Sequence, residues 1–503
     1  MTEGGEHGRD VTTRVAGDPD GRTSIDHVSE AEDAAAGAGL PNYRLSALII
    51  ASALFMENLD ATVLTTALPT MARDFGVRAP EMSVTVTAYL IALAVFVPVS
   101  GYMADRFGAR NVFRAALLLF MGGSLACAVS PSLLAIAAAR FVQGMGGAMM
   151  VPVGRLVLLR TVPKHDMVAA MAWLLMPGLI GTITGPPVGG FIVTYLQWRW
   201  IFWINLPIGL LGIVLVSRFI GDLREEGTRP FDLTGFLLSA GALGLLMFGF
   251  ELAGPAGEPR LGWGAIAAGA GLAALYLRHA DRTPHPILDL TLLRIRTFRL
   301  ATIGGSLTRI LHGAQPFLLA LLFQLGFGLS AAQSGMVTFA AAVGTFAMKS
   351  LVKPILRVTG FRNGLTLMGV LGGSAYAMGG LFRPGWPLPA MFCMLVVAGF
   401  FTSFQFTAYN TIAYDEVPRG RMSSATSLYS TLQQITLSLG VCLAATILHV
   451  GSAAQGRVTP SLANFSVAFW AVAAVGLCSI FANRRFPSDA GMEMSGAGRR
   501  PAA

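Results

Sequence analysis

Two acidic side chains lie near the middle of the first long apolar segment, residues 45–71. Glu57 and Asp60 are three residues apart, so a helix places both on one face. A segment of this length can span a bilayer, where an ionised carboxylate costs roughly 2.5 to 3.5 kcal/mol. Acids at that depth normally face a protein interior or a water-filled cavity. We therefore interpret Glu57 and Asp60 as a protonatable site, with acids held only by structural partners as the alternative.

A basic side chain lies at a matching depth in the fourth apolar segment, within the stretch RFVQGMGGA. Arg140 is about seven residues and Asp60 about ten residues from the outer ends of their segments. At about 1.5 Å per residue, these depths differ by about 5 Å, which side chains can bridge. The sequence predicts that Arg140 pairs with Asp60 and that protonation of Asp60 would release Arg140. A permanent structural salt bridge is the alternative.

The second half of the chain carries its own polar residues inside apolar segments. Arg309 and His312 share a helix face. His can titrate near neutral pH, and Arg can bind an anion or hold a carboxylate. A buried histidine satisfied by a neighbour is the alternative for His312. With Phe and Met as the other walls, a substrate cavity is predicted to include Arg309, His312, Gln143, Gln405, Tyr409, Asn410 and Gln433.

The composition defines the class of protein that must position these groups. Of 503 residues, 54% are hydrophobic and 13% are charged, which indicates an integral membrane protein. The net charge of +9 comes from basic residues scattered between apolar runs, so no nucleic-acid partner is predicted. The four cysteines lack metal-ligand spacing, and the sequence contains neither a Walker motif nor HExxH. We therefore predict neither a cofactor nor an enzyme.

Fourteen apolar segments are long enough, or nearly so, to cross a bilayer, and 262–277 is the shortest of them. They cover residues 45–71, 82–103, 112–129, 133–153, 167–196, 201–219, 233–252, 262–277, 300–325, 331–352, 365–381, 388–413, 423–449 and 465–482. With the N-terminus inside, 28 of the 36 Lys and Arg lie on the inner side and 6 in outer loops. This asymmetry predicts a multi-pass protein with both termini cytoplasmic.

A weak internal repeat indicates two similar halves. DRFGAR, residues 105–110, follows the second segment, and RVTGFR, residues 357–362, follows the tenth, with a Gly and the final Arg in common. We predict an all-α membrane fold with a substrate path between the halves. Its units are a disordered cytoplasmic tail at 1–41, a six-helix half at 42–220, two additional central helices at 221–280, a six-helix half at 281–485 and a disordered cytoplasmic tail at 486–503.

Several motifs resemble signatures of the major facilitator superfamily. The stretch GYMADRFGARNVF is similar to its cytoplasmic loop signature, with Ala109 in place of a basic residue and matches at Gly101, Asp105, Arg106, Gly108 and Arg110. The stretch GTITGPPVGG is similar to its antiporter signature, with matches at Gly181, Gly185, Pro186, Gly189 and Gly190. RFVQGMGGA resembles the Arg-bearing motif of its proton-coupled exporters. An Asp–Arg pairing can break and reform between conformations, and a glycine ridge lets helices slide.

Two further stretches, LDATVLTTALP and WRWIFWINLPIG, resemble signatures of the drug:proton antiporter branch with fourteen spans. The resemblance covers residues 42–485 and implies a major facilitator-type fold. It also implies export rather than import, driven by the proton gradient, with protonation at Asp60 or Glu57.

The sequence therefore predicts a secondary active exporter of the inner membrane that extrudes amphipathic small molecules. Its partners are those substrates, protons and the lipid bilayer, and a periplasmic adaptor is left open. A dedicated exporter of one endogenous metabolite or antibiotic, and a proton-coupled symporter, are the alternatives. The residues do not distinguish cationic from anionic substrates, because buried acids favour the first and buried arginines the second.

Overall fold

The computed structural model describes residues 43–161, 167–221, 231–253, 258–284, 286–418 and 421–491, and within these ranges it is helical without any strand. The long helices are α1 (Tyr43–Phe75), α2 (Ser83–Phe107), α3 (Ala109–Ala128), α4 (Leu133–Thr161), α5 (Met167–Tyr195), α6 (Asn205–Phe219), α7 (Leu233–Ala253), α8 (Pro259–Ala280), α9 (Arg296–Leu321), α10 (Ala331–Met378), α11 (Leu388–Ile412), α12 (Met422–Ala454) and α13 (Leu462–Leu477). Short helical turns lie at Ala79–Met82, Trp200–Trp203, Leu290–Arg294, Leu322–Gly326, Gly379–Leu381 and Ser479–Asn483. The predicted tail at 1–41, and the part of the tail at 486–503 beyond residue 491, lie outside the described residues.

Helix α10 contains two of the fourteen predicted spans. It has 48 residues and loses helical geometry at Gly360, where φ is 67°. Gly108, which separates α2 from α3, has φ 86°. These are the glycines that the internal repeat has in common, and glycine adopts positive φ without a steric penalty. Thirteen described helices are long and apolar enough to cross a membrane, and the break in α10 divides one of them. We call its parts α10a (331–359) and α10b (361–378).

Helices α7 and α8 contact the rest of the bundle less than the other spans do. Only 28% of the apolar stretch of α7 and 17% of that of α8 is buried, compared with 61% for α1. The two helices pack closely on each other, since a Cβ on Gly269 would lie 2.8 Å from the backbone nitrogen of Leu246. Phe236 of α7 meets Phe96 of α2 with ring centroids 5.9 Å apart. The shortest predicted segment, 262–277, is part of the 22-residue helix α8.

The other helices form two groups, each with its own apolar core. One core includes Ile50, Phe113 and Val216. The other includes Phe298 and Phe404. A third cluster joins the two groups at one end of the bundle, with members from α1 and α9 among others. This is the end that the charge asymmetry predicts to be outside.

Close glycine contacts pack α5 on α1. A Cβ on Gly181 would lie 2.6 Å from the carbonyl oxygen of Phe55, and one on Gly189 would lie 2.8 Å from that of Val63. Gly185 faces the hydroxyl of Thr62 in the same way. Any larger residue would therefore push α5 away from the helix that carries Asp60.

The same helix α5 reaches the other half of the molecule. Gly190 lies against the Ala331 carbonyl, and the Pro186 carbonyl lies against Gly335. Both contacts join α5 to α10a. Motif residues of the fifth segment thus contact both the helix of Asp60 and the opposite half.

Candidate functional site

Helices α1 and α4 bring Asp60 and Arg140 into direct contact. The Arg140 Nη1 atom lies 2.5 Å from Asp60 Oδ2, and the two side chains are 1% and 2% exposed for Arg140 and Asp60 respectively. This contact confirms the pairing that their matching depths predict. Glu57 lies one turn earlier on α1 and is half-buried, so the two acids differ in their access to solvent.

Two neutral amides complete the surroundings of the Asp60 carboxylate. Gln143 Nε2 and Asn205 Nδ2 donate to Asp60 Oδ1 at 2.9 and 2.8 Å. Both amides also donate to the hydroxyl of Ser124, at 2.6 and 3.1 Å. Asn205, Gln143 and Ser124 are fully buried. A proton that binds Asp60 must therefore compete with three donors for its oxygens.

Arg140 has further partners besides the carboxylate. Its Nη1 donates to Gln143 Oε1 at 2.6 Å, and its Nε donates to the Thr85 carbonyl at 3.4 Å. The guanidinium carbon lies 4.3 Å from the centre of the Tyr89 ring. Helix α2 approaches α4 closely enough for this contact because Gly144 lies against the Tyr89 carbonyl. Arg140 therefore keeps acceptors and an aromatic face if its link to Asp60 is broken.

The sequence predictions missed Asn205 and Ser124. Asn205 belongs to the stretch WRWIFWINLPIG and is its one amide side chain, so a polar group inside an apolar span was a usable signal. Ser124 has no such signal, because a lone serine in a membrane helix commonly bonds its own backbone.

A second polar cluster lies in the other half, around Arg309 of α9. Arg309 Nη2 donates to Asn410 Oδ1 at 3.2 Å and to the Tyr429 hydroxyl at 3.3 Å. Gln433 Nε2 also donates to Asn410 Oδ1, at 2.7 Å. The guanidinium carbon lies 5.2 Å from the Phe406 ring centre and 4.9 Å from that of Tyr429. Arg309 is 2% exposed, whereas Asn410 and Gln433 are half-buried.

Two more basic groups lie beside this cluster. His312, half-buried, has Nδ1 3.2 Å from the Thr308 carbonyl, and its ring lies 5.9 Å from that of Phe406. Lys349 of α10a, which the sequence predictions missed, donates from Nζ to the Thr407 hydroxyl at 3.1 Å. Helix α9 thus places Arg309 and His312 beside Phe406, and α10a places Lys349 beside the next residue of α11, Thr407.

Three of the residues predicted for the substrate cavity take no part in the hydrogen bonds of Arg309. Gln143 belongs to the Asp60 cluster. Gln405, 3% exposed, packs against Gly369 of α10b. Tyr409 is fully buried and packs against Gly305 of α9 beside Arg309, but its hydroxyl donates to Asn483 Oδ1 at 2.5 Å. The structure therefore brings together Arg309, Asn410 and Gln433, with His312 and Tyr409 alongside, and does not bring Gln143 or Gln405 to them.

The loop motif lies at the turn from α2 to α3. Gly108 forms the turn itself, and Gly101 lies in open surroundings one and a half turns before the end of α2. Asp105 and Arg110 are half-buried, and Arg106 is exposed. Within the described ranges, no group of three or more His, Cys, Asp or Glu residues could hold a metal ion.

Two six-helix groups, each with its own buried polar cluster, are the architecture of a membrane transporter rather than an enzyme. The chain belongs to the Major Facilitator Superfamily, whose family model matches residues 50–441. It is similar to the candidate multidrug resistance protein MdtD of Salmonella heidelberg, with 37% identity over 82% of this chain and 88% of that protein. The protein of the same name from Escherichia coli O6:H1 is 35% identical over 88% of this chain and 94% of its own length. These relatives agree with the drug:proton antiporter branch that the motifs indicate.

Solved transporter structures share the fold. A D-xylose-proton symporter superposes with a TM-score of 0.63 and 14% identity, covering 90% of this chain and 99% of that one. An auto-inhibited POT family peptide transporter superposes with a TM-score of 0.64 and 15% identity, covering 91% of this chain and 99% of that one. At these identities the likeness concerns the arrangement of helices alone.

Proposed function

We propose that this protein is a proton-coupled multidrug antiporter of the inner membrane that extrudes amphipathic small molecules by alternating access. The names of its relatives and its fourteen spans support a multidrug exporter. The buried Asp60–Arg140 pair is the single observation that carries the coupling to protons. A buried carboxylate held by one cation and two neutral amides is a site where one proton changes the local charge balance.

In this proposal, protonation of Asp60 weakens its contact with Arg140. Arg140 then relies on Gln143 Oε1 and the face of Tyr89, which tie it to α4 and α2. Helix α1 thereby loses its ionic link to α4, keeps the hydrogen bond from Gln143, and stays packed on α5 through Gly181 and its neighbours. A shift of α1 and α5 as a unit would change the contacts of α5 with α10a, and so connect the proton site to the opposite half.

The described conformation is closed at the end that we assign to the outside. There, Gln324 Nε2 donates to the Thr66 carbonyl at 2.9 Å, and the Ala332 backbone nitrogen donates to the Thr194 hydroxyl at 3.0 Å. Both hydrogen bonds cross from one half to the other. We infer an inward-facing state in which substrate enters from the cytoplasm, and outward opening would break these contacts.

The unit boundaries and the orientation belong to the same proposal. We assign residues 42–220 and 281–485 to the two moving halves and residues 221–280 to two additional helices that cover one side. The peripheral packing of α7 and α8 supports this division. With both termini cytoplasmic, the turn at Gly108 lies on the inner face, where Asp105, Arg106 and Arg110 would regulate closure.

The decisive experiment measures proton release in everted membrane vesicles. Vesicles are energised, a panel of lipophilic cations, neutral drugs and organic anions is added, and the pH gradient is followed by fluorescence. Wild type is compared with Asp60→Asn, Glu57→Gln and a control, Asp289→Asn, which removes an acid from an ion pair outside the spans. We expect some compound to collapse the gradient in wild type and in the control but not in Asp60→Asn.

Other results would revise the proposal. If Asp60→Asn and Glu57→Gln both dissipate the gradient as wild type does, the acids of α1 do not carry the proton. If a single compound acts while all others are inert, a dedicated exporter replaces the multidrug one. If the same compound is taken up with protons in right-side-out vesicles, the protein is a symporter.

A further inference from the structure

Arg309 is a buried cation whose partners among the described residues are all neutral. Its side chain is 2% exposed, and its hydrogen bonds go to an amide oxygen and a phenol hydroxyl. Among the residues that the structure describes, no carboxylate forms an ion pair with it. A charge withdrawn from water normally requires an opposite charge nearby, so this site lacks the component that would balance it.

The guanidinium also retains hydrogen-bonding capacity. The Arg309 Nε–H group is buried and has no acceptor among the described residues. The two acceptors it does have are bound through Nη2 alone, and Asn410 Oδ1 is shared with Gln433. A guanidinium presents five N–H donors in a planar fork, and the Nε–H donor of Arg309 lacks the acceptor that an oxyanion would supply.

The neighbouring groups favour the same kind of ligand. The titratable side chains that the structure describes next to the Arg309 cluster are basic or phenolic: His312, Lys349, Tyr409 and Tyr429. Phe406 is 36% exposed and borders the guanidinium, so an apolar surface adjoins the positive one. Asn410 and Gln433 are half-buried, so part of each side chain remains accessible beside these groups.

We propose that Arg309 binds an oxyanion group, a carboxylate or sulfonate, carried by the transported molecule, whose apolar part lies against Phe406. Lys349 supports the anion from α10a by its charge. This inference rests on the proposed export function and narrows its substrates to amphipathic organic anions. The acids of α1, taken alone, would favour cationic substrates. In this proposal those acids bind the proton, and Arg309 in the opposite half selects the substrate.

The test measures equilibrium binding to the purified full chain in phosphatidylcholine nanodiscs by titration calorimetry. Three probes share one ring system: 1-naphthalenesulfonate, its neutral sulfonamide and 1-naphthylmethylammonium. We expect wild type to bind the sulfonate roughly tenfold more tightly than the sulfonamide, and the cation least. Arg309→Gln should bring the sulfonate and the sulfonamide to within about twofold of each other.

Two further variants separate binding from folding. Lys349→Gln changes an exposed side chain and should weaken sulfonate binding about threefold without altering sulfonamide binding. Arg278→Gln removes an exposed arginine of α8 and should leave all three affinities unchanged. A sulfonate preference that survives Arg309→Gln, equal binding of sulfonate and sulfonamide by wild type, or tightest binding of the cation would each overturn the proposal.

A lipid phosphate has the same chemistry as the proposed ligand, so the experiment includes it. If nanodiscs containing phosphatidylglycerol raise the unfolding temperature of wild type but not of Arg309→Gln, and the sulfonate does not, the occupant is a lipid and the substrate assignment is wrong. The binding assay needs no proton gradient, so it fails independently of the export proposal. Selective sulfonate binding without any proton release would refute proton-coupled export but not the anion site. Proton release driven only by cations would refute the anion site but not proton-coupled export.

Discussion

Two arginines, Arg140 and Arg309, are buried to the same degree in opposite halves of the molecule, yet their surroundings differ. Arg140 contacts a carboxylate at 2.5 Å, and the oxygens of that carboxylate are shared with two amides. Arg309 contacts an amide, a phenol and two aromatic rings. The first site is internally neutral and changes charge when a proton arrives. The second carries a positive charge that a bound anion would neutralise.

The two halves resemble each other in helix packing, so the difference in charge between the Arg140 and Arg309 sites does not follow from a difference in architecture. In the first half, Gly181 and Gly189 let α5 approach α1. In the second half, Gly440 lies against the Ile310 carbonyl and Gly313 against that of Leu437, so α12 approaches α9 in the same manner. A common architecture therefore carries two unlike sites, and the unlike sites can be tested separately.

The largest expected effect is the loss of one partner of the buried pair. Arg140→Met leaves the Asp60 carboxylate buried without its cation, and we expect a loss of about 3–5 kcal/mol in the free energy of unfolding. Denaturant titration of the purified protein in mixed micelles measures it. Arg140→Met combined with Asp60→Leu should recover most of that loss, since no buried charge is then left alone. A double variant as unstable as the single one would show that packing, not charge, dominates at this site.

The packing resemblance predicts similar costs in the two halves. Gly440→Ala and Gly181→Ala each place a methyl group against a backbone carbonyl, and each should cost about 1–3 kcal/mol. Gly244→Ala in α7 is the matched control, because a Cβ there meets nothing within 4 Å. Unfolding temperatures of the three variants provide the measurement. A cost in only one half would contradict the equivalence of the two helix pairs.

Asn205→Ala tests the neutral part of the first site. It removes one donor at 2.8 Å from the Asp60 carboxylate and keeps the ion pair, so about 1.5 kcal/mol of stability should be lost. Unfolding temperatures of the purified variant measure this loss. Asn58→Ala is the control for removing an amide of α1 away from Asp60; Asn58 donates to the Leu54 carbonyl and accepts from Thr182 of α5. An unchanged stability in Asn205→Ala would mean that Asn205 only fills space.

The partly exposed ion pair of Asp289 with Arg421 can be compared with the buried pair of Asp60 with Arg140. Burial raises the pKa of the Asp289 carboxyl, but hydrogen bonds from Thr291 and Arg421 outweigh burial, so its pKa lies below the ordinary value. A carboxyl with a lowered pKa in the folded state stabilises the protein above its ordinary pKa, and this contribution disappears as the pH falls through the folded-state pKa. Asp289→Asn should therefore cost roughly 0.5 kcal/mol at neutral pH, screened by salt, and less as the pH falls below about 4. Unfolding temperatures across pH test this, and a cost that grows in acid would contradict it.

The smallest expected effect concerns Arg309 itself. Because no carboxylate of the described residues balances it, Arg309→Met should change the free energy of unfolding by no more than about 0.5 kcal/mol, or stabilise the protein. The contrast with Arg140→Met is then the sharpest measure of the difference between the two halves. A loss as large as that of Arg140→Met would show that its neutral partners already satisfy the charge.

Several parts of this protein follow from periodicity and depth along single helices. Segment lengths and loop charges predicted fourteen spans, and the break of α10 at Gly360 agrees with a repeat visible in the sequence. The pairing of Asp60 with Arg140 was predictable because a regular rise per residue fixes depth. The confinement of Tyr409 and Gln405 to helix interfaces was not, because depth does not determine which way a helix is rotated.

The class of protein, the number of spans and the depth of each buried charge were predictable from the chain alone, since these depend on local hydrophobicity and helix geometry. The contacts of Asn205 and Ser124 with the Asp60 site, and those of Arg309 with an amide and aromatic rings, became visible only in the folded protein. Which side chains meet across helices depends on the glycine contacts that fix distance and rotation between α1, α5, α9 and α12. Those contacts arise between segments far apart in the chain, and no single segment encodes them.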